Sequence, residues 1–348
     1  MYKLLIRPVF FLFSPETAHH LVAFLLRLVM ALPGVPWLTR KAFGYSHPGL
    51  ERDLFGLRFP NPVGMAAGFD KEARLYNHLS HFGFGHVEIG TVTPRPQAGN
   101  PRPRLFRMPA DKALINRMGF NNQGIETFTN NLKRQKPGVI IGGNIGRNTN
   151  TPHEESIADY CRCFRELFDY VDYFTVNVSC PNITGLSRLQ DKDELIALLQ
   201  AVQKINFSMP GPKPVLLKIS PDLTREQLDE MLEVAESARL SGFIATNTSR
   251  LRDGMKSPQQ RIERAGQGGL SGEPLKHKST ATIAYLHEKS GGRMPIIASG
   301  GIITPEDAME KLNAGASLVQ IYTGFIYEGP ALVRRINRHI ARNLYPSP

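Results

Sequence analysis

From Pro60 onward the 348-residue chain repeats one pattern eight times: four to seven mostly apolar residues, then a segment with helical periodicity. The apolar runs are Pro62–Ala66, Phe84–Gly90, Val139–Asn144, Tyr173–Ser179, Val215–Ile219, Gly242–Thr246, Pro295–Ser299 and Leu318–Tyr322. Helical patterns follow around 72–81, 121–133, 155–168, 191–206, 224–239, 278–289, 305–314 and 329–343. Short runs without polar alternation belong to strands buried on both faces, and such strands pair in parallel beneath covering helices. Ser220-Pro221-Asp222-Leu223-Thr224 and Thr304-Pro305-Glu306-Asp307 read as helix starts. Eight βα units in about 280 residues predict a closed (β/α)8 TIM barrel of the α/β class rather than an open doubly wound sheet. No Pro/Gly/Ser-rich linker interrupts them, so the expected organisation is a small helical extension over 1–45 and a barrel over 46–348. The segment from Arg250 to Lys276 is long for a βα connection and is a candidate lid.

The extension holds one clear helix. Ser14 is an N-cap, Pro15 sits where its missing N–H does no harm, Glu16 is an acid in the first turn, and Pro33-Gly34 ends the pattern. Glu16, His19, His20 and Arg27 share an arc of roughly 100°, opposite Leu21, Val22, Leu25, Leu28 and Val29. The helix rises about 26 Å, short of the roughly 30 Å hydrocarbon core, so a transmembrane span fits poorly. A signal peptide fits poorly too, because no small-x-small site follows Val9-Phe10-Phe11-Leu12-Phe13. Periodicity leaves two readings open: a helix packed on the barrel, or an interfacial helix on lipid, flanked by Lys3, Arg7, Arg40 and Lys41.

Chemistry in such barrels sits where strands end. Those positions carry Ala67, Gly68 and Lys71; Thr91; Asn116-Arg117-Met118-Gly119-Phe120; Asn144; Asn177 to Asn182; Lys218; Thr246-Asn247-Thr248; Gly300-Gly301; and Tyr322-Thr323. Asn116, Asn177, Asn182 and Asn247 offer paired donors and acceptors to a flat ligand with amide-like edges. The glycines after the last two strands suit a phosphate, and Lys71 and Lys218 an anion or developing charge. Asn after a strand is ordinarily a turn residue. A lysine closing a buried strand, however, needs a partner or a cavity. Neither G-x-x-x-x-G-K-[ST] nor a G-x-G-x-x-G after a strand is present. Three cysteines make no disulfide scaffold, and Cys161-Arg162-Cys163 lacks partners at zinc spacing, so no metal is expected. The +11 charge permits nucleic acid, anionic lipid or an anionic ligand; with no basic patch of interleaved aromatics, nucleic acid is not expected.

Ala67-Gly68-Phe69-Asp70-Lys71, Gly90-Thr91-Val92-Thr93-Pro94-Arg95-Pro96-Gln97, Asn116 to Phe120, Asn177-Val178-Ser179-Cys180-Pro181-Asn182 and Gly269-Leu270-Ser271-Gly272 resemble dihydroorotate dehydrogenase. The amino-terminal piece is similar to that of the membrane-associated, quinone-reducing class 2 enzymes of pyrimidine biosynthesis, which use FMN. The resemblance implies FMN contacts at Ala67, Gly68, Thr91, Asn144, Asn177, Lys218, Thr246, Gly272, Gly301, Tyr322 and Thr323. It implies dihydroorotate contacts at Lys71, Asn116, Arg117, Met118, Gly119, Phe120, Asn177, Asn182, Asn247 and Thr248, and a quinone site near His19, Arg107 and Tyr322. The implied location is the cytoplasmic side of the cell membrane, held peripherally.

One departure stands out. The quinone-dependent class carries serine as its base where this chain has Cys180, and threonine where it has Ile183. A thiol with a free pKa near 8.5 is already a few per cent thiolate at neutral pH and needs less of a proton relay than a hydroxyl does. Thr184 could restore such a relay. The expected mechanism has Cys180 taking a proton from C5 of dihydroorotate while hydride passes to FMN, with Lys218 stabilising the charge that grows on the flavin. Two alternative enzymes are a soluble-type relative using fumarate or NAD, which the cysteine suits, and a flavoprotein like the RNA dihydrouridine synthases. A membrane-attached interaction protein built on an inactive barrel is the non-enzyme alternative.

Overall fold

The computed structural model describes residues 1–134, 138–178 and 189–344. Its strands are β1 (Arg52–Leu54), β2 (Leu57–Phe59), β3 (Val63–Met65), β4 (His86–Val92), β5 (Leu105–Met108), β6 (Ala113–Asn116), β7 (Ile140–Ile145), β8 (Tyr173–Asn177), β9 (Val215–Ile219), β10 (Gly242–Ala245), β11 (Gly269–Gly272), β12 (Ile296–Ser299) and β13 (Leu318–Ile321). Strands β3, β4, β7, β8, β9, β10, β12 and β13 close in that order into a parallel barrel. Each of the eight apolar runs supplies one barrel strand, with ends displaced by a few residues at most.

The barrel core follows from these sequences. Phe174, Val176, Leu217, Phe243, Ala298 and Val319 are wholly buried where the helices cover the strands. Phe59, at the end of the β1–β2 hairpin, plugs the floor beside Tyr173, Leu216, Ile244 and Leu318. Expected caps are present: Thr224 and Thr304 each make a reciprocal capping box with the third residue of the following helix. The helix expected from 72 begins only at Tyr76, because the buried Asp70 carboxylate accepts the backbone N–H groups of Arg74, Leu75 and Tyr76 and holds the preceding turn.

Periodicity did not anticipate three features. The long second βα connection is not a simple loop: its β5 and β6 pair antiparallel, and β11 joins β6 from the candidate lid. That lid also holds a helix, Gln259–Ala265, and is pinned by Asp111, which accepts from the backbone N–H of Lys256 and Ser257. Finally, the extension has helices at Arg7–Phe11 and Val35–Phe43 beside the expected one at Pro15–Met30. No single helix among the described residues is long and apolar enough to cross a membrane, and the latter two meet at 113°.

Candidate active site

The carboxyl ends of the barrel strands open into a cavity of about 1660 Å³, beyond the roughly 300–1,000 Å³ of one small-molecule site. It runs from Lys218, Thr246 and Asn247 at the barrel mouth to Glu16, His19 and Arg27 on the Pro15–Met30 helix. Of the FMN set, Ala67, Gly68, Thr91, Asn177, Lys218, Thr246, Gly272, Gly301, Tyr322 and Thr323 line it. Lys71, Asn116, Arg117, Met118, Gly119, Phe120, Asn247 and Thr248 of the dihydroorotate set line it as well. Cys180 and Asn182, with Ile183 and Thr184, lie outside the described residues.

Beneath the mouth lies a polar core. Asn144, placed inside β7 rather than after it, does not line the cavity but donates to the Glu88 carboxylate at 2.6 Å. Glu88 also accepts from Gln320 Nε2 at 2.8 Å and lies 3.6 Å from Lys218 Nζ. Thr91 donates to Asn144 Oδ1 and accepts from Asn177 Nδ2, and Asn177 accepts in turn from Asn247 Nδ2 at 3.3 Å. Five strands, β4, β7, β8, β9 and β13, with Asn247 just beyond β10, therefore deliver one connected set of amides, a hydroxyl and an ammonium to a buried carboxylate.

The rim is built differently. Lys71 donates to Asn121 at 2.6 Å, and burial pushes its ammonium down to about 8, with Arg104 adding repulsion. Most of it still carries charge at neutral pH, as capture of an anionic ligand requires. Asp222, after β9, accepts from Ser249 Oγ, the Arg250 backbone N–H and Lys278 Nζ, tying down the segment that carries Asn247 and Thr248. Arg117 lines the cavity, yet its guanidinium donates to the carbonyls of Ala265 and Pro103 and so clamps the lid to the β5–β6 sheet.

At the other side of the mouth, Gly301 has φ 76° and a Cβ there would sit 2.2 Å from Lys276 Cα, so only glycine passes. The Ser271 and Thr323 hydroxyls meet at 2.9 Å where Thr323 opens a helical turn. Two hydroxyls beside a turn that only glycine can make are groups that suit a phosphate. A planar ring over Lys218, Asn177 and Thr246 with its phosphate here fits the residues present.

The helical extension meets the site through aromatic edges: His19 packs on Phe69 at 5.2 Å, and Phe69 on Tyr322 at 5.8 Å. Burial pushes the His19 imidazole down to about 4. The helix is oriented with its polar arc toward the cavity, where Glu16 pairs with Arg104 at 2.6 Å and Arg102 at 3.0 Å. On its opposite face Leu25, Leu28 and Val29 are exposed, and Phe24, also exposed, stands at the margin where the cavity opens. Arg107 does not line the cavity; it donates to the carbonyls of Phe10 and Phe13 and lies over the Phe11 ring.

Glu88, Gln320, Asp222, Ser271 and Asn121 escaped the sequence reading. For Glu88 a signal existed: a carboxylate inside His86-Val87-Glu88-Ile89-Gly90, a strand buried on both faces, demands a partner just as Lys218 does.

Comparison with known proteins agrees with this fold. A family model for dihydroorotate dehydrogenase matches residues 49–344. The dihydroorotate dehydrogenase (quinone) of Christiangramia forsetii is 54% identical over 340 residues, covering 98% of this chain and 98% of the relative. That of a Roseiflexus species is 46% identical over 341 residues, covering 98% of this chain and 93% of the relative. The crystal structure of DHODH from Eimeria tenella in complex with ferulenol is 34% identical, with a TM-score of 0.81 over 95% of this chain and 91% of that one. Matched across nearly its whole length in sequence and in fold, the chain belongs to the dihydroorotate dehydrogenase family, with quinone-dependent enzymes among its relatives.

Proposed function

We propose that this chain oxidises dihydroorotate to orotate at the barrel mouth, with FMN as its flavin and a membrane quinone as the electron acceptor. The observation that carries this reading is the single cavity lined both by Lys218, Thr246 and Asn247 and by Glu16, His19 and Arg27 of the extension. Substrate and acceptor then use two ends of one chamber.

Ala67, Gly68, Thr91, Asn177, Lys218, Thr246, Gly272, Gly301, Tyr322 and Thr323 hold the FMN, with Asn144 behind them. When bound, FMN supplies the hydride acceptor and the two-electron store. Lys218 places positive charge at the flavin's pyrimidine edge. Lys71, Asn116, Asn177, Asn182 and Asn247 orient the dihydroorotate ring and its carboxylate, and the backbone of Arg117 to Phe120 closes over it. Cys180, as its thiolate, takes the C5 proton and becomes the thiol. Residues 1–45 form the quinone-associated, membrane-facing part and residues 46–348 the FMN-binding barrel. His19 and Tyr322 border the quinone; Arg107, bound to the Phe10 and Phe13 carbonyls, shapes the segment beside it. The exposed Leu25, Leu28 and Val29 on one helix, and Trp37 and Leu38 on the next, support peripheral attachment to lipid at the cytoplasmic face of the cell membrane.

An absorption spectrum before and after anaerobic dihydroorotate tests the first half. Flavin bands that bleach support it, and a colourless protein would remove it. Reoxidation of the bleached enzyme by a quinone analogue, faster than by fumarate or NAD, supports the second half. The reverse order would make the chain a soluble-type enzyme, as Cys180 alone suggests.

A further inference from the structure

We propose that Glu88 is the positioning residue of this site: its buried carboxylate orients the amides under the flavin and offsets the Lys218 ammonium. The inference rests on the reading that FMN lies over Lys218.

Glu88 projects from the middle of β4 and is fully buried, and both its oxygens face N–H donors. A carboxylate only accepts hydrogen bonds, so it dictates which way each neighbouring amide turns. Asn144 must present its NH2 to Glu88, which leaves its oxygen for the Thr91 hydroxyl. With its proton thus committed, Thr91 accepts from the Asn177 NH2, whose oxygen then receives Asn247 Nδ2. Asn247 Oδ1 in turn accepts the Thr248 backbone N–H at 2.9 Å. One carboxylate therefore sets the polarity of a relay that crosses β4, β7, β8 and the end of β10. Gln320, from β13, is turned the same way on the other oxygen.

The second consequence is electrostatic. Lys218 and Glu88 are 7% and 0% exposed and 3.6 Å apart, so solvent screens neither. A flavin above Lys218 feels the pair, not the lysine alone. Electron uptake adds negative charge to the flavin, and the Glu88 charge opposes it. Glu88 therefore holds the flavin potential below the value that Lys218 would set unaided.

Glu88→Gln keeps the shape, removes the charge and puts a donor where an acceptor was. In the FMN-loaded enzyme the ratio of reduced- to oxidised-flavin affinity should rise at least tenfold. For a two-electron couple that is about 30 mV upward in midpoint potential. Redox titration against reference dyes measures it. A potential equal to or below that of the parent enzyme overturns the proposal. Lys218→Met in the same titration separates the two levels. If it lowers the potential while Glu88→Gln changes nothing, the Glu88 assignment fails and the site reading stands; if neither moves it, the placement of FMN over Lys218 fails. Should Glu88→Gln retain no flavin, the double variant Glu88→Gln/Lys218→Gln decides. Lone buried charges cost far more than none. Recovery of flavin binding in the double variant supports the pairing, and continued loss, where Lys218→Met alone still binds flavin, overturns it.

Discussion

Phe174 and Phe24 are the same side chain in two regions with opposite fates. In the barrel wall Phe174 is wholly buried, its ring 4.1 Å from that of Phe164; on the Pro15–Met30 helix Phe24 keeps 62% of its surface exposed. The difference extends beyond one pair. Among the described residues, the exposed large apolar side chains fall within 1–38, save Phe207, Leu251 and Leu344. The barrel buries its apolar faces against itself. The extension turns its polar arc inward, because the cavity it roofs presents Arg102, Arg104 and Lys71. The helix therefore leaves Leu25, Leu28 and Val29 facing outward, the side that the proposed lipid attachment uses. The comparison thus divides the molecule into a part that buries its apolar side chains and a part that leaves many of them exposed.

Four experiments strain that division. The largest effect belongs to the barrel: Cys180→Ala should slow flavin reduction by dihydroorotate by about two to four decades while FMN stays bound. Stopped-flow absorbance reads this directly, and an unchanged rate would remove the thiol from the mechanism. Phe174→Ala should cost about 3–5 kcal/mol in urea unfolding, because a wholly buried ring leaves a cavity.

The third effect is pH-dependent. His19 ionises at about 4 in the fold against 6.5 unfolded, so below 6.5 the unfolded chain binds the proton first. Stability contributed by His19 is therefore complete above about 6.5 and declines toward pH 4, by at most about 3 kcal/mol. His19→Gln should flatten that slope. If it does not, the slope belongs to the barrel floor, where burial pushes His86 down to about 3. The smallest change is Leu28→Ser, expected within about 0.5 kcal/mol of the parent protein in solution. Its effect should appear only as weaker co-sedimentation with lipid vesicles; a large loss of stability would mean that the extension packs like a core.

Much of this architecture was legible. Buried parallel strands declare themselves by composition, so Val215–Ile219 and Leu318–Ile321 stand where the apolar runs predict them. The β5–β6–β11 sheet was not legible, because Gly269–Gly272 pairs with Asn116 to Ala113 from more than 150 residues away. No local periodicity encodes such a pairing. In the site, Lys218 stood out as a charge in a buried strand, and Glu88 obeyed the same rule unnoticed. Arg117 and Arg107 were legible as cations but not in their direction: one clamps the lid, the other caps the carbonyls of the amino-terminal segment.

The amino-acid sequence alone determines the eight strand–helix units, the strand-end chemistry and the two faces of the amino-terminal helix, since each depends on residues within a few turns of one another. Tertiary structure alone decides which face of that helix meets the barrel and which amide points toward Glu88. Both choices depend on charges brought together from distant segments, and electrostatic energy follows distance in space, not separation along the chain.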